Sequence, residues 1–237
     1  MKKGIEVLIK PIPFWQSLFF FGVPAVLGIL CTYFLWPFFM SVGVSEENAY
    51  HLQALVVFVV LLIASLVAYL VEGNSQNWSS FKNRFRLFNM NRREWMWTFG
   101  GLTTQILISL LANSLALQLF SFLDFSPPEV YPSGPITNLP LLVFVLFMNI
   151  LSEELWWRGY ILPRQELQHG RTTWIVHGIL WALFHVFKWW SVPFMLLTTW
   201  IIPFITQRFR NTMPGIIIHL ITNSLSVIIS LIGLPIT

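Results

Sequence analysis

The chain has 237 residues, 56% of them hydrophobic and only 10% charged, with a mean hydropathy of +0.69. A water-soluble domain carries about 25% charged residues, so this composition excludes one and indicates an integral membrane protein of the all-α class. The formal net charge of +4 does not argue for nucleic acid, because the basic residues follow a topological pattern; Cys31, alone in an apolar run, excludes a disulfide framework.

The N-terminus, Met1-Lys2-Lys3 followed by an apolar run from Phe14, has the outline of a signal peptide. The run continues to Met40, however, well beyond the roughly 7–15 residues of a signal h-region, and no small-residue cleavage site follows, so it reads as a retained first helix. Cys31 also makes a poor lipoprotein cysteine, since Leu30 stands before it where a small residue is needed. Seven spans are predicted, at about 14–40, 51–71, 95–122, 139–162, 173–188, 191–207 and 213–233, forming a polytopic helical bundle in a single membrane domain, 1–237. The first contains Pro24 and Pro37, which predict a kink, and the fifth is short. The outer loop from Asp124 to Asn138, with four prolines, is predicted to be irregular.

The basic residues orient these spans. Lys2, Lys3 and Lys10 precede the first; Lys82, Arg84, Arg86, Arg92 and Arg93 lie between the second and third. Arg158, Arg164 and Arg171 lie at the junction of the fourth and fifth, and Arg208 and Arg210 between the sixth and seventh. Thirteen of the fourteen fall on one side, with only Lys188 opposite, and the opposite loops carry Glu46, Glu47, Asp124 and Glu129. The positive-inside rule then predicts a cytoplasmic N-terminus and an outer C-terminus, in the inner or plasma membrane if the source is prokaryotic. The connection from Asn77 to Trp95, in which Trp78, Phe81, Phe85 and Phe88 interleave with basic residues, is predicted to be an amphipathic helix lying on the anionic leaflet; substrate gating is a second reading of it.

Against this apolar background the run Ser152-Glu153-Glu154-Leu155-Trp156-Trp157-Arg158-Gly159 stands out. A charge near the bilayer centre costs roughly 2.5–3.5 kcal/mol even on the lenient insertion scale, so such residues face a protein interior or wet cavity and mark a functional site. Glu154 and Arg158 are i,i+4 neighbours and can pair, whereas Glu153 points about 100° away from Glu154, free for a different task. Three histidines share the spans. A lone membrane histidine is more often a packing or hydrogen-bonding residue, but His219 and Asn223 share a helix face at i,i+4, and His185 follows in the same set of spans. Counting at about 1.5 Å per residue puts Glu153 roughly 14 Å, His219 and Asn223 roughly 9–15 Å and His185 roughly 18 Å from the cytoplasmic face. This predicts a site opening to the cytoplasm, in which His185 fits worst; His177, nearer the rim, is given a structural or access role.

In this order, Glu153-Glu154-x-x-x-Arg158, then His185, then His219-x-x-x-Asn223 resemble the three motifs of the CAAX protease and bacteriocin-processing (CPBP or ABI) family, which includes the Ras-converting CAAX endopeptidases. The first and third motifs match, and Gly159 after the arginine is also typical; in the second, Trp181 stands where that family has phenylalanine. The resemblance covers about residues 139–230, leaving 1–122 as N-terminal spans with the basic connection. It implies an intramembrane endopeptidase in which Glu153, helped by His185, activates a water, and His219 with Asn223 stabilises the oxyanion. Glu154 and Arg158 then form a structural ion pair that holds Glu153. It implies no cofactor, a peptide or membrane-protein substrate with or without a lipid tail, membrane lipids as surroundings, and no nucleic acid.

Three other readings remain open from the residues alone. Glu153, His185 and His219 make a two-His, one-carboxylate zinc site with an open position, although no His-Glu-x-x-His helix is present. Bacteriocin self-immunity or peptide binding without catalysis uses the same buried charges. A purely structural ion-pair network explains Glu154 and Arg158 but not His219 and Asn223.

Overall fold

The computed structural model describes residues 9–128 and 137–231, so Lys2, Lys3, Glu129, Pro132, Pro135 and the final positions of the seventh predicted span lie outside the described residues. Among those described, every regular element is helical. Helices α1 (Phe14–Ser41) and α2 (Glu46–Val71) are joined by a turn through Gly43, whose φ of 88° suits glycine. The short α3 (Trp78–Arg84) is capped by the Asn77 side chain, which accepts from the Ser80 N–H at 2.8 Å. Helix α4 (Arg92–Phe122) begins with a reciprocal cap between Asn91 and Glu94.

The C-terminal part follows. Helix α5 (Leu139–Glu153) runs through a π-helical stretch, Glu154–Ile161, into α6 (Leu162–His169), and the chain turns at Gly170, φ 62°. Helix α7 (Thr173–Phe184) ends in 3₁₀ turns over His185–Ser191, within which Lys188 leaves helical geometry. Then come α8 (Val192–Met195), α9 (Ile201–Phe209) and α10 (Met213–Leu231).

Four stretches are long and apolar enough to cross a membrane: Phe14–Ser41, Glu46–Val71, Arg92–Phe122 and Leu139–Met195, and Met213–Leu225 is a shorter apolar helix. The chain is therefore an integral membrane protein, and its helices follow the order of the seven predicted spans. The departure is the sixth, expected over 191–207. It is broken into α8, turns at 196–200, and the nine residues of α9. Non-helical backbone at membrane depth persists only where protein or a wet cavity receives its polar groups.

Two prolines explain the two π segments. Pro37 has no N–H to offer the Tyr33 carbonyl, and the Trp36 N–H reaches back to Cys31, closing the π turn Cys31–Leu35. Pro163 likewise has none for the Gly159 carbonyl, at the end of the π stretch Glu154–Ile161. That carbonyl accepts from the Arg84 guanidinium instead, at 3.0 Å. Pro24, by contrast, sits inside the first segment of α1 without ending it.

The connection between α2 and α4 does not lie on the surface as one amphipathic helix. Only Trp78–Arg84 is helical, and the chain beyond it docks into the bundle. Phe85 is fully buried against Gly159, where a Cβ would stand 2.7 Å from its ring. Thr212 donates through its N–H to the Arg86 carbonyl and through its hydroxyl to the Phe85 carbonyl, both at 2.8 Å, and Asn211 bonds both backbone groups of Phe88. The alternation of aromatic and basic residues thus divides inward as well as outward: Trp78 stays exposed with Lys82 over its ring, while Arg84 is buried.

Arg84 bonds Glu72 at 2.5 and 2.8 Å, and Arg164 pairs with the same carboxylate. Burial alone would raise the Glu72 carboxyl, but the bonded Arg84 and the neighbouring Arg164 hold it below its ordinary range. A carboxyl depressed in the folded state contributes stability above its unfolded value of about 4.3, and that contribution is lost as pH falls through the lower folded value. The melting temperature of Glu72→Gln in detergent is therefore expected to lie well below wild type at neutral pH, with the gap closing below about pH 4. A gap that does not change with pH would show that the ion-paired form of Glu72 adds nothing.

Candidate active site

Glu153 ends the regular part of α5 and is 3% exposed. Its Oε1 accepts from the Asn149 amide at 2.8 Å, one turn earlier on the same helix, and its Oε2 accepts from the Trp181 indole N–H at 3.0 Å across from α7. The Asn149 amide oxygen in turn accepts from the Asn223 Nδ2 on α10 at 2.8 Å. One hydrogen-bonded chain thus runs from Trp181 through Glu153 and Asn149 to Asn223, joining three helices.

Glu154 heads the π stretch and faces the other way, as predicted. Its Oε1 lies 3.0 Å from Arg158 and 2.9 Å from Nδ1 of His219, and both carboxylate and guanidinium are fully buried. Through Glu154 the pair bonds the His219 ring, whereas the partners of Glu153 are Asn149 and Trp181. The Glu154 contact engages Nδ1 of His219 and leaves its Nε2 outside that bond. Arg158 is held by this charge contact and by the face of Trp181, whose ring centroid is 3.8 Å from the guanidinium carbon.

The predicted residues are thus brought together unequally. Glu153, Glu154, Arg158, His219 and Asn223 form one cluster in which His219 and Asn223 belong to separate branches. His185 sits where α7 gives way to 3₁₀ turns, half-buried, and among the described residues it makes no direct hydrogen bond to Glu153. Trp181 links the two: its carbonyl bonds Nδ1 of His185 at 2.9 Å while its indole N–H bonds Glu153. The neutral tautomer fixed by that carbonyl leaves Nε2 of His185 as an acceptor. His177 lies in the interior with Nδ1 2.7 Å from the Gln165 amide oxygen and its ring edge-on to Phe21, a structural place.

Asn149 escaped the sequence reading. The signal available was its own spacing, an amide four residues before Glu153 in an otherwise apolar run. Gly215 was also missed. A Cβ there would stand 2.6 Å from Oε2 of Glu154 and 3.1 Å from Oγ1 of Thr206, so glycine lets α10 close on the carboxylate. As to metal, no group of three His, Cys, Asp or Glu among the described residues is placed to hold an ion, and Nδ1 of His219 and both oxygens of Glu153 are engaged by protein partners.

Burial around the cluster is asymmetric. Toward the basic loops, Trp157, Arg158, Ile161, His177 and Ile218 are fully buried; toward the acidic loops, Asn149, His185 and Asn223 are half-buried. The close fit at Gly215 yields a prediction. Gly215→Ala is expected to force Glu154 off His219 and to lower the melting temperature in detergent by the equivalent of about 1–3 kcal/mol, as overpacking does. An unchanged melting temperature would mean the helices have slack that this packing does not suggest.

Residues 135–225, which contain the whole cluster, match the family described as Type II CAAX prenyl endopeptidase Rce1-like. The chain is also 26% identical over 173 residues to UPF0177 protein YxdF of Lactococcus lactis subsp. lactis (strain IL1403), covering 70% of this chain and 87% of that protein. No solved structure matches. The resemblance read from the three motifs and the family match coincide on the same residues, and this part of the chain is similar to the Rce1-like CAAX prenyl endopeptidases.

Proposed function

We propose that this protein is an intramembrane endopeptidase of glutamate type, cleaving prenylated CAAX-type tails or other precursor peptides. The observation that carries this is the Trp181–Glu153–Asn149–Asn223 chain lying beside the Glu154–His219 pair in the interior of the bundle. Amide hydrolysis needs a base within reach of a water and donors aimed where negative charge develops. Glu153 takes a proton from a water, with the free Nε2 of His185 accepting its other hydrogen bond. The water oxygen bonds to the scissile carbonyl carbon, whose oxygen becomes the oxyanion. His219, as imidazolium, donates to it from Nε2, and Asn223 donates with the amide hydrogen not given to Asn149. Collapse breaks the C–N bond, and the proton held by Glu153 goes to the departing nitrogen, releasing an acid and an amine. No metal takes part in these steps.

The charge pattern supports a cytoplasmic N-terminus, with the basic loops on that side. The half-buried groups Asn149, His185 and Asn223 lie on the other side of Glu153, and this favours a substrate that reaches the site from within the bilayer over one that approaches straight through the basic face, as the helix-depth count alone would have it.

Purified protein in detergent, given a quenched fluorogenic peptide library that includes farnesylated CAAX peptides, tests the proposal. Wild type is expected to cleave, with and without a chelator. Glu153→Gln is expected to abolish turnover, and His219→Ala to reduce it by about 10²–10³, the effect of losing an oxyanion donor. Cleavage that a chelator stops and zinc restores would replace the metal-free mechanism; activity retained by Glu153→Gln would overturn the role of the glutamate. A wild type that cleaves nothing while conferring immunity in cells would favour binding without catalysis.

A further inference from the structure

Trp181 is the one motif position at which this chain departs from the family it resembles, and it is also the residue that touches the most of the site. Its indole N–H donates to Oε2 of Glu153 at 3.0 Å. Its ring face lies against the Arg158 guanidinium, centroid to carbon 3.8 Å. The rings of His219 and His185 stand edge-on to it at 5.6 and 5.7 Å, and its carbonyl receives Nδ1 of His185. A phenylalanine keeps the ring and the backbone carbonyl but has no hydrogen to donate.

We infer that Trp181 is a positioning residue whose indole N–H fixes the rotation of the Glu153 carboxylate, an inference that rests on the proposed peptidase reading. Asn149 holds one oxygen from the glutamate's own helix and Trp181 holds the other from α7. Two donors from different helices, one on each oxygen, stop the carboxylate from turning about its last side-chain bond, and each oxygen keeps a second lone-pair direction for a water. With phenylalanine at 181, Glu153 is held from one side only and is free to turn toward Arg158. The chain thus performs with a side chain on the second-motif helix a task for which the matching phenylalanine has no group.

The test compares wild type, Trp181→Phe and a protein carrying 3-benzothienylalanine at position 181, in which sulfur replaces the indole N–H at nearly the same size. The infrared antisymmetric carboxylate stretch of Glu153, identified as the band missing from Glu153→Gln, is expected to shift in both altered proteins. Turnover of the best library peptide is expected to fall about 10–100-fold in kcat, the worth of a hydrogen bond to a charged group, with KM changed less than about twofold. The benzothienyl protein keeps the packing, so a fold defect in Trp181→Phe does not blunt the test. An unmoved Glu153 band in both proteins overturns the inference, as does a shifted band with unchanged kcat. If wild type cleaves no peptide, the peptidase reading fails on its own, while the infrared band still decides whether the indole fixes the carboxylate.

Discussion

The interaction on which the rest depends is the burial of ionisable groups inside an apolar helical bundle. Glu153, Glu154, Arg158 and His219 lie together at 0–5% exposure. A set of that kind persists only if its charges offset one another, because removing one partner of a buried pair leaves a charge uncompensated at a cost of about 3–5 kcal/mol. Here Glu154 is shared between Arg158 at 3.0 Å and Nδ1 of His219 at 2.9 Å, while Glu153 is held by two neutral donors, the Asn149 amide and the Trp181 indole. In the proposed mechanism the ring that bonds Glu154 through Nδ1 is the one whose Nε2 serves the oxyanion, so the buried pair and the proposed donor share one side chain.

Holding this set in register requires close backbone approach, and the chain obtains it with glycine and proline. Gly215 lets α10 come down on Glu154, and Gly159 receives the Phe85 ring, so the π stretch is clamped from two directions. Pro163 withholds an N–H from Gly159, and the exposed carbonyl becomes a socket for Arg84. The basic connection between α2 and α4, the least apolar part of the chain, thereby fixes the helix that carries both glutamates. A π segment at such a place agrees with the tendency of these bulges to occur at functional sites.

What could be read from the sequence followed from periodicity and from the rarity of charge in an apolar chain. The helices, their order and the Glu154–Arg158 pair all have i,i+4 or length signatures. So does Asn149, which was overlooked because an amide in an apolar run looks inert until its partner Asn223 is known. The broken sixth span looked continuous because its sequence is as apolar as a helix; the turns at 196–200 pack on α7, where a Cβ at Gly178 would stand 2.9 Å from the Trp200 Cα, and Pro203, which has no N–H for the Thr199 carbonyl, was the signal in the sequence. Basic residues misled in one respect. Arg84, Arg86 and Arg164 count as topological charges, yet each is tied to a glutamate, Glu72 or Glu166, and a linear pattern does not separate a loop charge from a buried pair.

The region similar to the CAAX endopeptidases is not the whole of the site's support. Phe187, two residues after His185, rests its ring against Gly28 of α1, where a Cβ would stand 2.8 Å away, and its carbonyl accepts from the Tyr33 hydroxyl at 2.9 Å. At the far end of α5, Glu47 of α2 accepts the backbone N–H groups of Thr137 and Asn138 just before the helix that leads to Glu153. Arg84 and Phe85 hold the other end of that helix. Each of these anchors comes from residues before 135, outside the matched region. The first two spans and the basic connection therefore act as the frame that sets the 3₁₀ turns at His185 and the axial position of Glu153.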